Sequence, residues 1–207
     1  ADTLRVLDPN TGNNIILPAV TILEDNRTSK VYGYAEIVQT FFSRFRLTAG
    51  VRYDYFGLIN KKNYFSPRTS LAVTLTPKLS LNLAYGIFYQ SPSYIWILGT
   101  PENTDLKDIR ADHYIAGLEY FFDESTRMTV EFYYKDYRGY PVSESRPYVI
   151  LANNSGFETE NSFGLEKLLS KGTGNAKGFE IFLQKALTKN IYGTASFSYS
   201  DVKYEAL

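Results

Sequence analysis

His113 is the one histidine in the 207 residues, and the chain has no cysteine. A nucleophile–histidine–carboxylate hydrolase and a histidine or thiolate metal cluster are both hard to assemble from such a chain. His113 is expected to be a lumen or rim residue with no catalytic part. The glycine-rich stretch 172–178 lacks the GxxxxGK[ST] spacing of a phosphate loop and runs into a strand, so a flexible loop is expected there. Residues 101–108 carry Glu102, Asp105 and Asp108 without the spacing or glycine of an EF-hand, which predicts a solvated acidic loop. No catalytic residue, metal site or cofactor is expected. Lysine plus arginine, at 22, balances aspartate plus glutamate, at 22, so the basic excess of a nucleic-acid binder is missing. What remains is binding chemistry. Tyr89, Gln90, Tyr94 and Trp96 lie where an extended segment runs into the stretch 91–110, and loops on a rigid scaffold commonly carry ligands. Arg52 and Arg68, with Asp54 and Glu119, are the charges expected to face inward.

The elements that position these residues follow from period-two patterning. Phe45, Leu47, Ala49, Val51, Tyr53 and Tyr55 fall on one face of an extended segment, and Arg46, Thr48, Gly50, Arg52 and Asp54 on the other. A helix would mix the two sets; a strand separates them. The alternation recurs at Thr69–Leu71–Val73–Leu75, at Leu79–Leu81–Leu83–Tyr85, at Tyr114–Ala116–Leu118–Tyr120, at Met128–Val130–Phe132–Tyr134, at Phe179–Ile181–Leu183 and at Ala195–Phe197–Tyr199. A weaker strand covers 30–40. About eight strands of roughly 9–12 residues result, longer than the usual 5–6 of soluble sheets and close to a tilted bilayer-spanning strand. The first thirty residues suit either short strand pieces or part of a loop.

Short connections near 43–44, 76–78, 123–126 and 188–190 alternate with long ones over about 57–66, 91–110 and 138–175. Sorting loops by parity is the mark of up-and-down hairpins with one smooth end and one elaborate end, as in outer-membrane barrels. The 18 Tyr and 14 Phe gather toward both rims, with smaller aliphatics between them, like the girdles of a membrane barrel. No run of eighteen apolar residues marks a transmembrane helix, which leaves barrel strands untouched. The pattern predicts an all-β fold: an antiparallel up-and-down transmembrane β-barrel, here a partial barrel of about eight strands.

Several segments resemble the C-terminal barrel of TonB-dependent outer-membrane receptors. They are Tyr64-Phe65-Ser66-Pro67-Arg68-Thr69-Ser70-Leu71, Leu75-Thr76-Pro77-Lys78-Leu79-Ser80-Leu81, Ala84-Tyr85-Gly86-Ile87-Phe88-Tyr89-Gln90-Ser91-Pro92-Ser93-Tyr94, Asn103-Thr104-Asp105-Leu106-Lys107 followed by Arg110-Ala111-Asp112-His113-Tyr114, and Ala49-Gly50-Val51-Arg52-Tyr53-Asp54. The match covers roughly 30–137, and the remainder fits by pattern. The resemblance implies a single segment, 1–207, of a barrel of about 22 strands, with no plug domain among these residues. It implies a site in the bacterial outer membrane in contact with its lipid. It also implies import of a scarce nutrient (an iron chelate, cobalamin, glycan or peptide) as extracellular ligand, driven by the TonB energy-coupling complex acting through a plug, and no enzyme activity. Tyr89, Gln90, Tyr94, Trp96, Arg52 and Arg68 are the expected ligand contacts. The alternative is a small complete eight-stranded barrel with a structural or adhesion role, since eight strands can close around their own side chains. An outer-membrane hydrolase lacks its base, and a soluble sandwich conflicts with strand length and loop parity.

Overall fold

The computed structural model describes residues 4–7, 14–17, 27–144, 149, 166–188 and 190–206. Two short strands, β1 (Leu4–Leu7) and β2 (Asn14–Leu17), pair antiparallel with each other. Eight long strands make the main sheet: β3 (Lys30–Phe41), β4 (Phe45–Phe56), β5 (Asn63–Thr76), β6 (Leu79–Gln90), β7 (Ile109–Phe121), β8 (Thr126–Ser143), β9 (Leu168–Thr188) and β10 (Ile191–Glu205). Each pairs antiparallel with its sequence neighbours, in the order β10 to β3, and the sheet is not closed. The expected eight-stranded up-and-down sheet is what forms.

Two expectations are corrected. The long connections are shorter than the pattern suggested, because β5 already starts at Asn63, β8 runs to Ser143 and β9 begins at Leu168. The glycine-rich stretch 172–178 is not a flexible loop but the middle of β9. Its glycines make room for side chains on the flanking strands. A Cβ at Gly172 would meet Tyr140 at 2.9 Å, and one at Gly174 would meet the Tyr204 ring. Register irregularities around Tyr140 interrupt the β8–β9 ladder, and Gly139 beside them has φ +80, a conformation open to glycine.

The register sorts side chains into two faces. One face carries, strand after strand, Arg52, Ser66 and Arg68, then Gly86, His113, Lys135 and Ala176. The other carries rows such as Leu71–Leu83–Ala116–Phe132–Phe179 and Leu81–Leu118–Val130–Ile181–Phe197. In a membrane barrel the first face lines the lumen and the second meets lipid. Above the apolar rows the Tyr85, Tyr114 and Tyr134 rings form a ladder, with centroids 5.0 and 6.3 Å apart. Near the opposite rim Tyr120 and Phe122 meet edge to face at 5.0 Å.

The short turns are held locally. In the turn before β8, the Ser125 backbone N–H and hydroxyl donate to Asp123 Oδ1 at 2.8 and 2.7 Å, and the Thr126 hydroxyl to Oδ2 at 3.0 Å. These donors hold the Asp123 carboxyl down at about 2. The turn between β3 and β4 is less comfortable. Phe42 and Ser43 take φ 49 and 55, left-handed values that non-glycine residues adopt at a cost.

Candidate functional site

The buried apolar residues lie at the long-loop end. Phe56, Ile59, Tyr64 and Ile97 make one cluster, and Trp96, Leu106 and Leu168 a second. Phe56 and Tyr64 share the polar face with Asp54, so these clusters roof the lumen side of the sheet. The roof is the β6–β7 connection, which contains α1 (Tyr94–Ile97) and a 3-10 turn, Pro101–Asp105.

Asn103 fixes this roof. Its side-chain amide donates to the Trp96 carbonyl at 2.6 Å and to the Glu166 carbonyl at 3.0 Å, while its Oδ1 accepts from the Leu168 backbone N–H at 2.8 Å. One fully buried side chain thus joins the loop to the start of β9, satisfying backbone groups that burial would otherwise strand. On the other side, Asn60 donates its backbone N–H to the Thr104 carbonyl at 2.8 Å and its amide to Asp105 at 2.6 Å.

Asp108 departs from expectation. Glu102 and Asp105 are exposed, as a solvated acidic loop requires, but Asp108 is buried. The Tyr64 hydroxyl accepts its backbone N–H at 2.9 Å, and its Oδ2 accepts a long 3.4 Å bond from the Ser91 hydroxyl. Oδ1 has no hydrogen-bond partner. Burial outweighs the nearby cations Lys30 and Lys61 and lifts this carboxyl to about 6. This burial is not legible from residues near Asp108 in the chain, because its neighbours Lys30, Lys61, Tyr64 and Ser91 come from separate strands and loops.

The expected ligand contacts fall into two groups. At the mouth, the exposed Tyr94 ring stands edge-on to Phe56 at 5.6 Å, Tyr89 packs on Tyr64 at 4.8 Å, and Gln90 is exposed. Trp96 is buried in the roof against Leu106 and Leu168, so it shapes the mouth from beneath. Deeper, on the lumen wall, stand Arg52 and Arg68. Arg52 grips Asp54 through Nε at 2.8 Å and Nη2 at 2.8 Å and lies 4.5 Å from the Tyr32 ring centroid. Arg68 is different: it is exposed, lies 5.4 Å from the Phe88 ring centroid, and has no ion pair among the described residues. A hollow of about 210 Å³ opens there, lined by Glu36, Thr48, Arg68, Phe88 and His113 among others. His113 stacks on Phe88 at 4.5 Å. Such a wall can hold an anion by charge and a flat group by stacking. Phe88, Glu36 and Lys30 were not singled out from sequence; their strand parity was the available signal.

Residues 2–206 match the family model described as TonB dependent receptor-like, beta-barrel. No curated protein sequence matches the chain. Among solved structures, the siderophore receptor PirA from Pseudomonas aeruginosa is 15% identical with a TM-score of 0.64, over 84% of this chain and 32% of that one. The FrpB iron transporter from Neisseria meningitidis is 16% identical with a TM-score of 0.62, over 88% and 28%. The outer membrane transporter YddB from Escherichia coli is 17% identical with a TM-score of 0.60, over 84% and 25%. The chain therefore spans about a quarter to a third of the length of these relatives.

Proposed function

Because the chain belongs to the TonB-dependent receptor β-barrel family, we propose that it supplies eight strands, and part of the extracellular mouth, of a plugged importer. Members of this family are transporters of the bacterial outer membrane and not enzymes, and this chain lies in that membrane. The imported nutrient is an iron chelate, cobalamin, glycan or peptide, and Arg68 favours an anionic one. The observation that carries this reading is the guanidinium of Arg68, without an ion pair among the described residues, beside Phe88 on the lumen wall and below a roof tied down from both sides. Tyr89, Gln90 and Tyr94 would meet the ligand first at the mouth.

A plug would fill the lumen and link it to the energy-coupling complex. Glu131 and Glu180 sit directly opposite each other on the lumen face of β8 and β9, and neither makes an ion pair among the described residues. Facing like charges destabilise a sheet, so a basic side chain from the lumen-filling segment is the natural partner.

The test is uptake of labelled nutrients by cells that carry the full-length receptor, against cells that lack it. Arg68→Gln should raise the half-saturating concentration of an anionic substrate about tenfold, the loss of one charge-assisted contact of ~1.4 kcal/mol. Arg52→Gln should matter less, because Asp54 already occupies Arg52. Uptake of every nutrient class at the same rate with and without the receptor would end the importer reading.

A further inference from the structure

The ladder between β5 and β6 stops early. It runs from Thr76–Leu79 to Arg68–Gly86, yet both strands continue toward the mouth, β5 to Asn63 and β6 to Gln90. Each stays paired on its other side, β5 with β4 as far as Tyr55–Asn63 and β6 with β7 as far as Gln90–Ile109. The wall is therefore split between them on the mouth side of the Arg68–Gly86 rung. Pro67, the next residue of β5 toward the mouth, has no N–H with which to extend a ladder. Two rings fill the split. Tyr64 shares lumen parity with Tyr32 and Asp54, and Tyr89 shares the outward parity of Arg110, yet their centroids lie 4.8 Å apart. In a paired sheet the backbone keeps opposite faces apart; here the rings meet where the ladder is missing.

The mouth divides along the same line. The roof leads from β6 into β7, and Asn103 binds it to the start of β9. Against the β4–β5 side it is clamped through loop and side-chain contacts. The Tyr64 hydroxyl accepts the Asp108 N–H at 2.9 Å, Asn60 reaches Thr104 and Asp105, and Ile97 sits among Phe56, Ile59 and Tyr64. Tyr64 thus belongs to the ring stack, the hydrogen bond and the apolar cluster at once. At the foot of the split Arg68 stands on one side and Phe88 with His113 on the other, around the hollow of about 210 Å³. The split starts one rung above Tyr85 of the aromatic girdle, so water and not lipid meets its unpaired backbone groups.

We propose that the mouth-side halves of β5 and β6 are the prongs of a fork bolted shut by Tyr64, and that withdrawing this bolt swings the roof off the β4–β5 prong and opens the way to the hollow at Arg68. The roof moves with β6 and β7, which carry it, and the Arg68–Gly86 rung is the hinge. Segments held by few contacts open at lower free energy than a continuous ladder, and here a handful of side chains stands in for the ladder. That the opening admits a nutrient rests on the reading of the Arg68 hollow given above; the fork itself does not.

The experiment has two arms, both on the full-length receptor. The first is hydrogen exchange on the folded, heat-modifiable fraction. In the parent, residues 63–67 and 87–90 should exchange at least about tenfold faster than 70–74 and 80–84 below the rung. Tyr64→Ala should speed exchange of 63–67, 87–90 and the roof by about a further tenfold and leave 70–74 and 80–84 unchanged. Tyr64→Phe, which keeps the ring and loses the acceptor, should give a smaller rise. Equal protection above and below the rung in the parent would overturn the proposal, as would a Tyr64→Ala effect spread evenly over both halves. The second arm locks the fork in cells. Phe65→Cys with Ile87→Cys, both of outward parity, are joined by a short bismaleimide that a reductant cleaves. The joined receptor should take up labelled nutrient about tenfold more slowly and recover on cleavage. Joining Ala72→Cys to Asn82→Cys, partners below the rung, should change nothing. Undiminished uptake with the upper pair joined would overturn the gate. A receptor that imports nothing even unjoined ends the importer reading instead, and the exchange arm still decides the fork.

Discussion

Asp108 and Asn103 show how much a single polar residue decides when a loop is buried. The Asp108 carboxyl binds its proton more tightly in the folded roof, at about 6, than an ordinary carboxylate near 3.9 does in an unfolded chain. Its contribution to roof stability is therefore full below about pH 4 and is lost as pH rises through about 6. Above that, a buried charge with one unpartnered oxygen remains. Asp108→Asn should protect the 91–108 segment at pH 8 by about 1–3 kcal/mol and do little at pH 4.5. Hydrogen exchange, as protection factors corrected for intrinsic rates, measures this; equal protection of both proteins at pH 8 would refute it. Asn103 makes the opposite case, a buried polar group with three protein partners. Asn103→Ala leaves two carbonyls and an N–H without them, at about 1–3 kcal/mol for each group left unsatisfied, and should loosen the roof. The chain has no cysteine, so Leu106→Cys provides a reporter. A maleimide added outside cells should leave it unlabelled in the parent and label it when Asn103→Ala is added.

At the scale of the element, the assignment of inside and outside rests on neighbours of opposite parity. Leu83 and Asn82 are adjacent on β6, yet Leu83 pairs with Leu71 and Ala116, and Asn82 with Ala72 and Gly117. Leu83→Arg should cost about 2–4 kcal/mol by placing charge in lipid and sharply lower the yield of refolded barrel; Asn82→Arg should be tolerated. Equal yields would remove the assignment. The β3–β4 turn offers a gain instead. Replacing Phe42-Ser43, both at positive φ, with Asn-Gly fits the left-handed backbone and should raise the unfolding midpoint in denaturant. These strands were legible in the sequence because period two runs along each strand segment between Phe45 and Tyr134. The strand extensions beyond the membrane were not. Pro141 and the glycines of β9 look like loop residues, and the close approach of Tyr140 Cβ and Val142 to Gly172 and of the Tyr204 ring to Gly174 is not visible in the local sequence. The candidate site was half legible: parity placed Arg52 and Arg68 on the lumen wall, while nothing local separates exposed Tyr94 from buried Trp96, two residues apart in one helical turn.

At the scale of the molecule, the sheet ends in two strands with a side unpaired. β3 is exposed at every position and β10 at nearly every one, and each has a partner on one side alone within the sheet. An edge of twelve or more residues cannot be left bare in a bilayer, where each unsatisfied backbone group costs several kcal/mol. Either β3 and β10 pair with further strands of a larger barrel, or they pair with each other. The two cases separate by experiment. If the larger barrel is right, the 207-residue chain refolded alone should give no heat-modifiable monomer and should assemble or precipitate through its edges. The full-length receptor should give one such band. A monomer of the isolated chain that shifts on heating, with β3 amides protected from exchange, would instead establish closure on itself and make this an eight-stranded barrel without room for a plug.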